Sequence, residues 1–210
     1  MRQARGSLVL SKEEQMTFDL IPHAGARLAP PSFQPVGFTI GDETMADVAA
    51  REALLDVAFG PARLLKTCER LREDHTPAPG LALVAKDDAG ELIATLRLWP
   101  ILAGRRPALL LGPLAVADHA RSLGIGARMI RESLARAGSL GHRAVLLVGD
   151  APYYAKFGFE RRFTERLTLP GPVERARFLG LELAPGALAG AEGRVRAAPA
   201  PATAALRRAA

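Results

Sequence analysis

Hydrophobic and polar positions change rhythm in blocks along the chain, and each block predicts an element. Residues 36–40 alternate and predict a strand. Asp42 or Thr44 then caps a helical spacing that presents Met45, Val48, Leu55 and Phe59 on one side, and Gly60-Pro61 breaks it. Residues 63–72 predict a second, shorter helix. Two strands follow at 81–85 and 92–98, joined through Asp87-Asp88-Ala89-Gly90, a hairpin signal. An almost unbroken apolar run occupies 109–116. Beyond a short polar turn, Ile125, Met129, Ile130, Leu134 and Ala137 fall at helical spacing, with Arg128, Glu132 and Arg136 on the wet face. Gly138 and Gly141 stop that helix. Residues 144–148 predict a buried strand. Residues 167–169 and 178–183 alternate around Pro170-Gly171-Pro172 and predict a closing pair of strands. The sum is a mixed α/β domain without internal repeats.

The clearest chemistry lies between the apolar run and the long helix, in Arg121-Ser122-Leu123-Gly124-Ile125-Gly126. Strand, Gly-rich turn and helix N-terminus in that order form an anion site. Unpaired backbone N–H groups converge there, where the helix dipole is positive. A Cβ at Gly124 or Gly126 would keep a diphosphate from the backbone. Two phosphate signatures are excluded. The dinucleotide fingerprint needs G-x-G-x-x-G, and the order here is R-x-x-G-x-G. The P-loop needs Gly-Lys-[Ser/Thr], and the only Lys-Thr pair, Lys66-Thr67, follows no glycine-rich loop.

The turn does match, position by position, the [QR]-x-x-G-x-[GA] signature of the GCN5-related N-acetyltransferase (GNAT) superfamily. The resemblance covers residues 36–160. Leu114-Ala115-Val116 occupies the strand positions whose backbone, in that family, pairs with the pantetheine arm of the cofactor. Arg121 follows at the family's usual spacing, and 144–148 resembles the next strand. Tyr154-Ala155-Lys156-Phe157-Gly158-Phe159 resembles the family's closing Tyr-x-x-x-Gly-Phe. The chain is most similar to a bacterial branch carrying Gly-Asp-x-x-Tyr-Tyr-x-x-Phe-Gly-Phe, here 149–159.

The resemblance implies an α/β fold: one GNAT-type domain whose mixed central sheet is splayed at the acyl-CoA site and flanked by helices. It implies acetyl-CoA as acyl donor, with no metal. The cofactor-binding positions would be Leu114, Ala115, Val116, Arg121, Ser122, Leu123, Gly124, Ile125, Gly126 and Ala127. Tyr154 would be the catalytic acid that protonates the leaving thiolate. The implied activity is transfer of an acetyl group to a primary amine by direct attack. A non-catalytic acyl-CoA-binding sensor or interaction module of the same fold is the alternative. The acceptor, a small-molecule or peptide amine, stays open. So does the general base, because 109–116 holds no carboxylate where some relatives keep one. Asp150 departs from the pattern, since many members place an Asn there at a longer interval from the tyrosine. A turn-forming helix cap is its expected role. Tyr153 is expected to pack, because the Tyr-to-Gly spacing selects Tyr154.

The remaining candidates carry less. His23, His75, His119 and His142 show no metal-ligand spacing, and only His119 lies on the cofactor approach. The stretch 137–141 superficially resembles a hydrolase nucleophile elbow but falls at a helix end. Cys68, the single cysteine, excludes an internal disulfide, fits a reducing cytoplasm and is expected to be a spectator.

Composition adds boundaries. The chain has 210 residues, and its 49% hydrophobic content is ample for one core, filled by Leu, Val and Ala because aromatics are only 5%. No apolar run approaches the roughly 20 residues of a membrane span. The net charge of +6 is spread over arginines interleaved with carboxylates. That favours an anionic cofactor over nucleic acid, whose readers cluster basic residues with stacking aromatics. The expected organisation is a flexible leader at 1–34, the catalytic domain at 35–187 and a loose Ala/Pro/Arg-rich tail at 188–210. A cytoplasmic monomer or homodimer without nucleic-acid or membrane partners is expected.

Overall fold

A computed structural model describes residues 37–199. The expected leader and residues 200–210 lie outside the described residues. The strands are β1 (Phe38–Asp42), β2 (Ala82–Asp87), β3 (Leu92–Ala103), β4 (Arg106–Val116), β5 (Ala144–Val148), β6 (Leu167–Thr168), β7 (Phe178–Glu182) and β8 (Gly193–Ala197). The helices are α1 (Val48–Phe59), α2 (Ile125–Ser139) and α3 (Ala151–Ala155). The sheet runs β1-β2-β3-β4-β5-β7, and β8 pairs with both β3 and β6. The neighbours β4 and β5 are parallel, as are β6 and β8; the other pairs are antiparallel.

The unbroken apolar runs are explained by burial on both faces of the sheet. Side chains alternate between faces with period two. Leu109, Leu111, Val145 and Leu147 therefore join Ile125, Met129, Ile130 and Ala137 of α2 in one core. Leu110, Ala144 and Leu146 join Trp99, Ile101, Phe178 and Val195 in a second core on the opposite face. The buried stripe of α2 thus sits against the central strands, which fixes where its N-terminus begins.

Four expectations are corrected. Residues 63–72 form two 3₁₀ turns, Pro61–Leu65 and Glu69–Leu71, in place of a helix. Extended backbone at Lys66, with ψ 145°, separates them. Met45 is exposed and does not join Leu55 in the core. Thr44 donates from its backbone N–H and its hydroxyl to Asp47 Oδ2, at 2.9 and 2.7 Å, which closes a 3₁₀ turn Met45–Asp47 ahead of α1. Asp47 turns inward to meet Lys86 at 2.6 Å, and Met45 faces out. The stretches 167–169 and 178–183 do not pair with each other: β7 lies against β5, and β6 against β8. Finally, the tail expected to be loose from residue 188 is ordered through Pro199, with Leu188 and Val195 buried. The cause is β3, whose edge is covered by β2 only as far as Arg97, leaving Ile101–Ala103 for β8.

Candidate functional site

The two central strands separate. β4 and β5 are in register only at Leu109↔Val145 and Leu110↔Leu146. Among the described residues, the edge of β4 that faces β5 has no strand partner beyond Leu110, while its other edge stays paired with β3 as far as Val116. A bulge marks the point of separation. Leu96 lies opposite Leu114 and Leu98 opposite Leu111, so two steps on β3 answer three on β4. Trp99 Nε1, buried, donates to the Gly112 carbonyl at 2.8 Å and holds it toward β3. Arg97 lies over the Trp99 ring, 5.8 Å from its centroid, and its Nε donates to Glu43 Oε2 at 2.7 Å. The bulge is therefore braced from behind.

β4 leads through a 3₁₀ turn, Asp118–Ala120, into α2. Buried Ala120 and Ile125 anchor the two ends of the intervening loop. Ser122 and Gly124 hold φ of +66° and +77° within it. Among the described residues no side chain caps α2, so the amides of its first turn are left for a ligand or solvent. The two glycines act differently. Gly124 supplies the left-handed backbone conformation. Gly126 supplies space, since a Cβ there would stand 3.4 Å from Tyr153 Oη and 3.5 Å from Val116 Cγ2. Leu114, Ala115, Val116, Arg121 and Gly126 line one cavity of about 280 Å³, so the structure brings together the strand and turn positions expected from sequence. Ser122 and Gly124 are exposed in the loop, and Arg121 pairs with Asp118 at 2.8 Å.

A larger cavity, about 720 Å³, opens at the bulge. Its floor is 111–114 and its walls come from 63–72, from the end of β5 with α3, and from 172–177. Those walls are far apart in sequence and are tied together: Thr67 Oγ1 donates to the Pro172 carbonyl at 2.6 Å, and Arg70 Nη1 to that of Pro170 at 3.0 Å. A cavity of this size suits a small molecule.

Comparison with known proteins agrees with this geometry. The acetyltransferase (GNAT) domain family matches residues 78–161. The uncharacterized N-acetyltransferase YhbS of Escherichia coli K12 is 32% identical over 155 residues, which is 73% of this chain and 92% of that protein. The chain belongs to the GNAT family of N-acetyltransferases. The crystal structure of E. coli YhbS in complex with CoA superposes on this GNAT chain with a TM-score of 0.68 at 29% identity, covering 81% of this chain and 93% of that one. A GNAT acetyltransferase from Brucella melitensis in complex with acetyl-CoA gives 0.55 at 28% identity, covering 71% and 90%.

Within this GNAT domain both tyrosines of α3 reach the site. The Tyr154 ring is packed edge-on against Phe159 and Tyr153, with centroids 5.8 and 5.1 Å away. It lies so close to Gly149 that a Cβ there would stand 2.2 Å from its ring, which explains the glycine of the Gly-Asp segment. Burial, with some help from neighbouring Tyr153, pushes the Tyr154 phenol up to about 12, so it holds its proton. Asp150 Oδ2 accepts from the Tyr153 backbone N–H at 3.1 Å, the capping role expected of it.

Tyr153 is the residue that sequence reasoning undervalued. It lines both cavities and aims its hydroxyl toward Gly126. The available signal was the Tyr-Tyr doublet itself, because successive positions on one helical turn point in different directions. Arg72 and Arg177, which line the large cavity, were also missed, because 63–72 and 170–177 carry no family motif. Cys68 lines that cavity too, but burial pushes its thiol up and keeps it protonated, a poor nucleophile. His119 is exposed in the 3₁₀ turn after β4.

Proposed function

We propose that this GNAT protein transfers the acetyl group of acetyl-CoA to a primary amine. One observation carries the reading: the open edge of β4 beyond Leu110 runs directly into an uncapped helix N-terminus through the R-x-x-G-x-G turn. That arrangement offers an extended polyamide arm a strand partner and offers a diphosphate a cluster of amides. The relatives bound to CoA and to acetyl-CoA support it.

The donor supplies an activated thioester. The chain's part is to position and to manage charge. Leu114, Ala115 and Val116 hold the arm; Arg121, Ser122, Leu123, Gly124, Ile125, Gly126 and Ala127 hold the phosphates. Backbone N–H groups of the bulged strand near Leu114–Val116 polarise the thioester carbonyl. The amine, in its neutral form, enters from the larger cavity and attacks the carbonyl carbon. The C–S bond breaks, and the Tyr154 hydroxyl delivers its proton to the departing sulfur. The surplus amine proton leaves through the polar wall of the larger cavity to solvent, and solvent returns a proton to the Tyr154 oxygen, which restores the starting state.

Incubation with acetyl-CoA and a panel of primary amines tests this reading. We expect free CoA thiol and acetylated amine in equal amounts, measured by thiol titration and mass spectrometry. Stoichiometric acetyl-CoA binding with no acetylated product from any amine class would instead identify a sensor or interaction module.

A further inference from the structure

Among the described residues lining the large cavity, Arg72 is a cation with no adequate partner. Arg72 follows the 3₁₀ turn Glu69–Leu71, and Leu71 is buried in the core formed with Trp99 and Leu110, which fixes where the arginine starts. Its side chain is only 12% exposed. Among the described residues, Nε is buried with no hydrogen-bond partner, and the guanidinium makes one long bond, from Nη1 to Glu69 Oε2 at 3.3 Å. A desolvated guanidinium with unmet donors is costly, and arginine cannot relieve the cost by losing its proton. Its Nη2 stands 3.6 Å from where a Gly112 Cβ would be, beside the β4 bulge.

The neighbouring charges sharpen the picture. Arg63 is committed to Glu52 and Asp56. Asp150 caps α3, Glu69 is the weak partner already described, and Glu174, which also lines the cavity, is exposed to solvent. Among the described residues, the side chain of Arg177, on the opposite and more exposed wall, gives only a 3.4 Å contact from Nε to the Gly149 carbonyl. Two guanidiniums without carboxylate partners of good geometry thus face the space next to the reacting centre.

We propose that the acceptor is an amino acid or a close analogue, its carboxylate bound by Arg72 while its amine attacks at the bulge. This inference rests on the acetyltransferase reading above. Guanidinium is the side chain best matched to a carboxylate, because its N–H groups form a planar fork. The nearness of Arg72 to Gly112 limits the distance between amine and carboxylate to a few bonds. A polyamine would bring further positive charge against Arg72 and Arg177 and is disfavoured.

The test uses matched pairs: amino acids and the amines made by removing their carboxylate, each with acetyl-CoA, in wild type, Arg72→Lys and Arg72→Gln. Wild type is expected to prefer the amino acid by about 10–10² in kcat/KM, the range of a charge-assisted hydrogen bond. The preference should collapse toward one in Arg72→Gln, chiefly through KM for the amino acid, and Arg72→Lys should keep part of it. Equal or better use of the decarboxylated amines by wild type would overturn the proposal and leave the acetyltransferase reading intact. An equal fall for both members of a pair in Arg72→Gln, with the preference intact, would also overturn it. Should Arg72→Gln fail to fold, the wild-type ratio and Arg72→Lys still decide. No acetylation of any amine would be a failure of the acetyltransferase reading itself.

Discussion

Tyr154→Phe is expected to lower turnover by about 10²–10⁴ near neutral pH, the range of a positioned general acid, with acetyl-CoA affinity little changed. The substitution keeps the ring, and with it the edge-on packing against Phe159 and the close fit over Gly149, so the loss reports on the hydroxyl. The sign of the pH dependence follows from two acids. Burial holds the Tyr154 phenol up at about 12, so wild type loses no activity through its ionisation below that pH. The CoA thiol resembles a cysteine thiol, with a pKa near about 8.5, and above that pH the sulfur can depart without a proton. The deficit of Tyr154→Phe should therefore shrink as pH rises, in steady-state rates measured from about pH 6 to about pH 10, a span that brackets the thiol. Wild-type rates at every pH would remove Tyr154 from the mechanism. Tyr153→Phe, whose hydroxyl lies toward Gly126, should alter KM for acetyl-CoA more than kcat.

Gly126→Glu is expected to weaken CoA binding by about 10³ or more while leaving the fold in place. The new side chain would fill the cavity of about 280 Å³ between β4 and α2. Two like charges about 4 Å apart repel by about 4 kcal/mol at the effective dielectric of a protein surface, which corresponds to about 10³ in affinity. An acidic residue in the first turn of a helix favours the helix itself, so the unliganded variant should melt close to wild type. Gly124→Val should also abolish binding, by a different route. At φ +77° a β-branched residue is strained, and relief of that strain turns the first-turn amides away from the phosphates. Calorimetric titration and thermal melting separate the two effects. Unchanged CoA affinity in either folded variant would reduce these glycines to turn punctuation.

The apolar strand and its turn were legible in the sequence because their requirements are local, whereas the fork was expected only from the resemblance to the GNAT family. A strand buried on both faces must be apolar throughout, and the left-handed cap of α2 favours a glycine, met at Gly124; both facts show in a handful of adjacent residues. Asp150 was legible for the same reason, since a cap is a contact across three residues. What sequence left unread depends on distant partners. Met45 matches the helical spacing, and only the Asp47–Lys86 pair turns it outward. The stretch 63–72 has helix-forming residues, but its ties to Pro170 and Pro172 shape it as a cavity wall. β8 reads as a loose Ala/Arg/Pro tail, and it is ordered because β2 leaves part of the β3 edge uncovered. Arg72 has no motif at all; its significance comes from burial with a single long contact, to Glu69.

Hydrogen–deuterium exchange with saturating acetyl-CoA tests the central claim most directly, because it locates the ligand on the backbone. The account predicts slowed exchange at 111–116, where β4 gains a partner for its open edge, and at 123–127, where the first-turn amides of α2 take the phosphates. Exchange in β8, remote from the fork, should stay as it is in the free protein. Protection confined to other segments, with 111–116 and 123–127 exchanging as fast as without ligand, would contradict it.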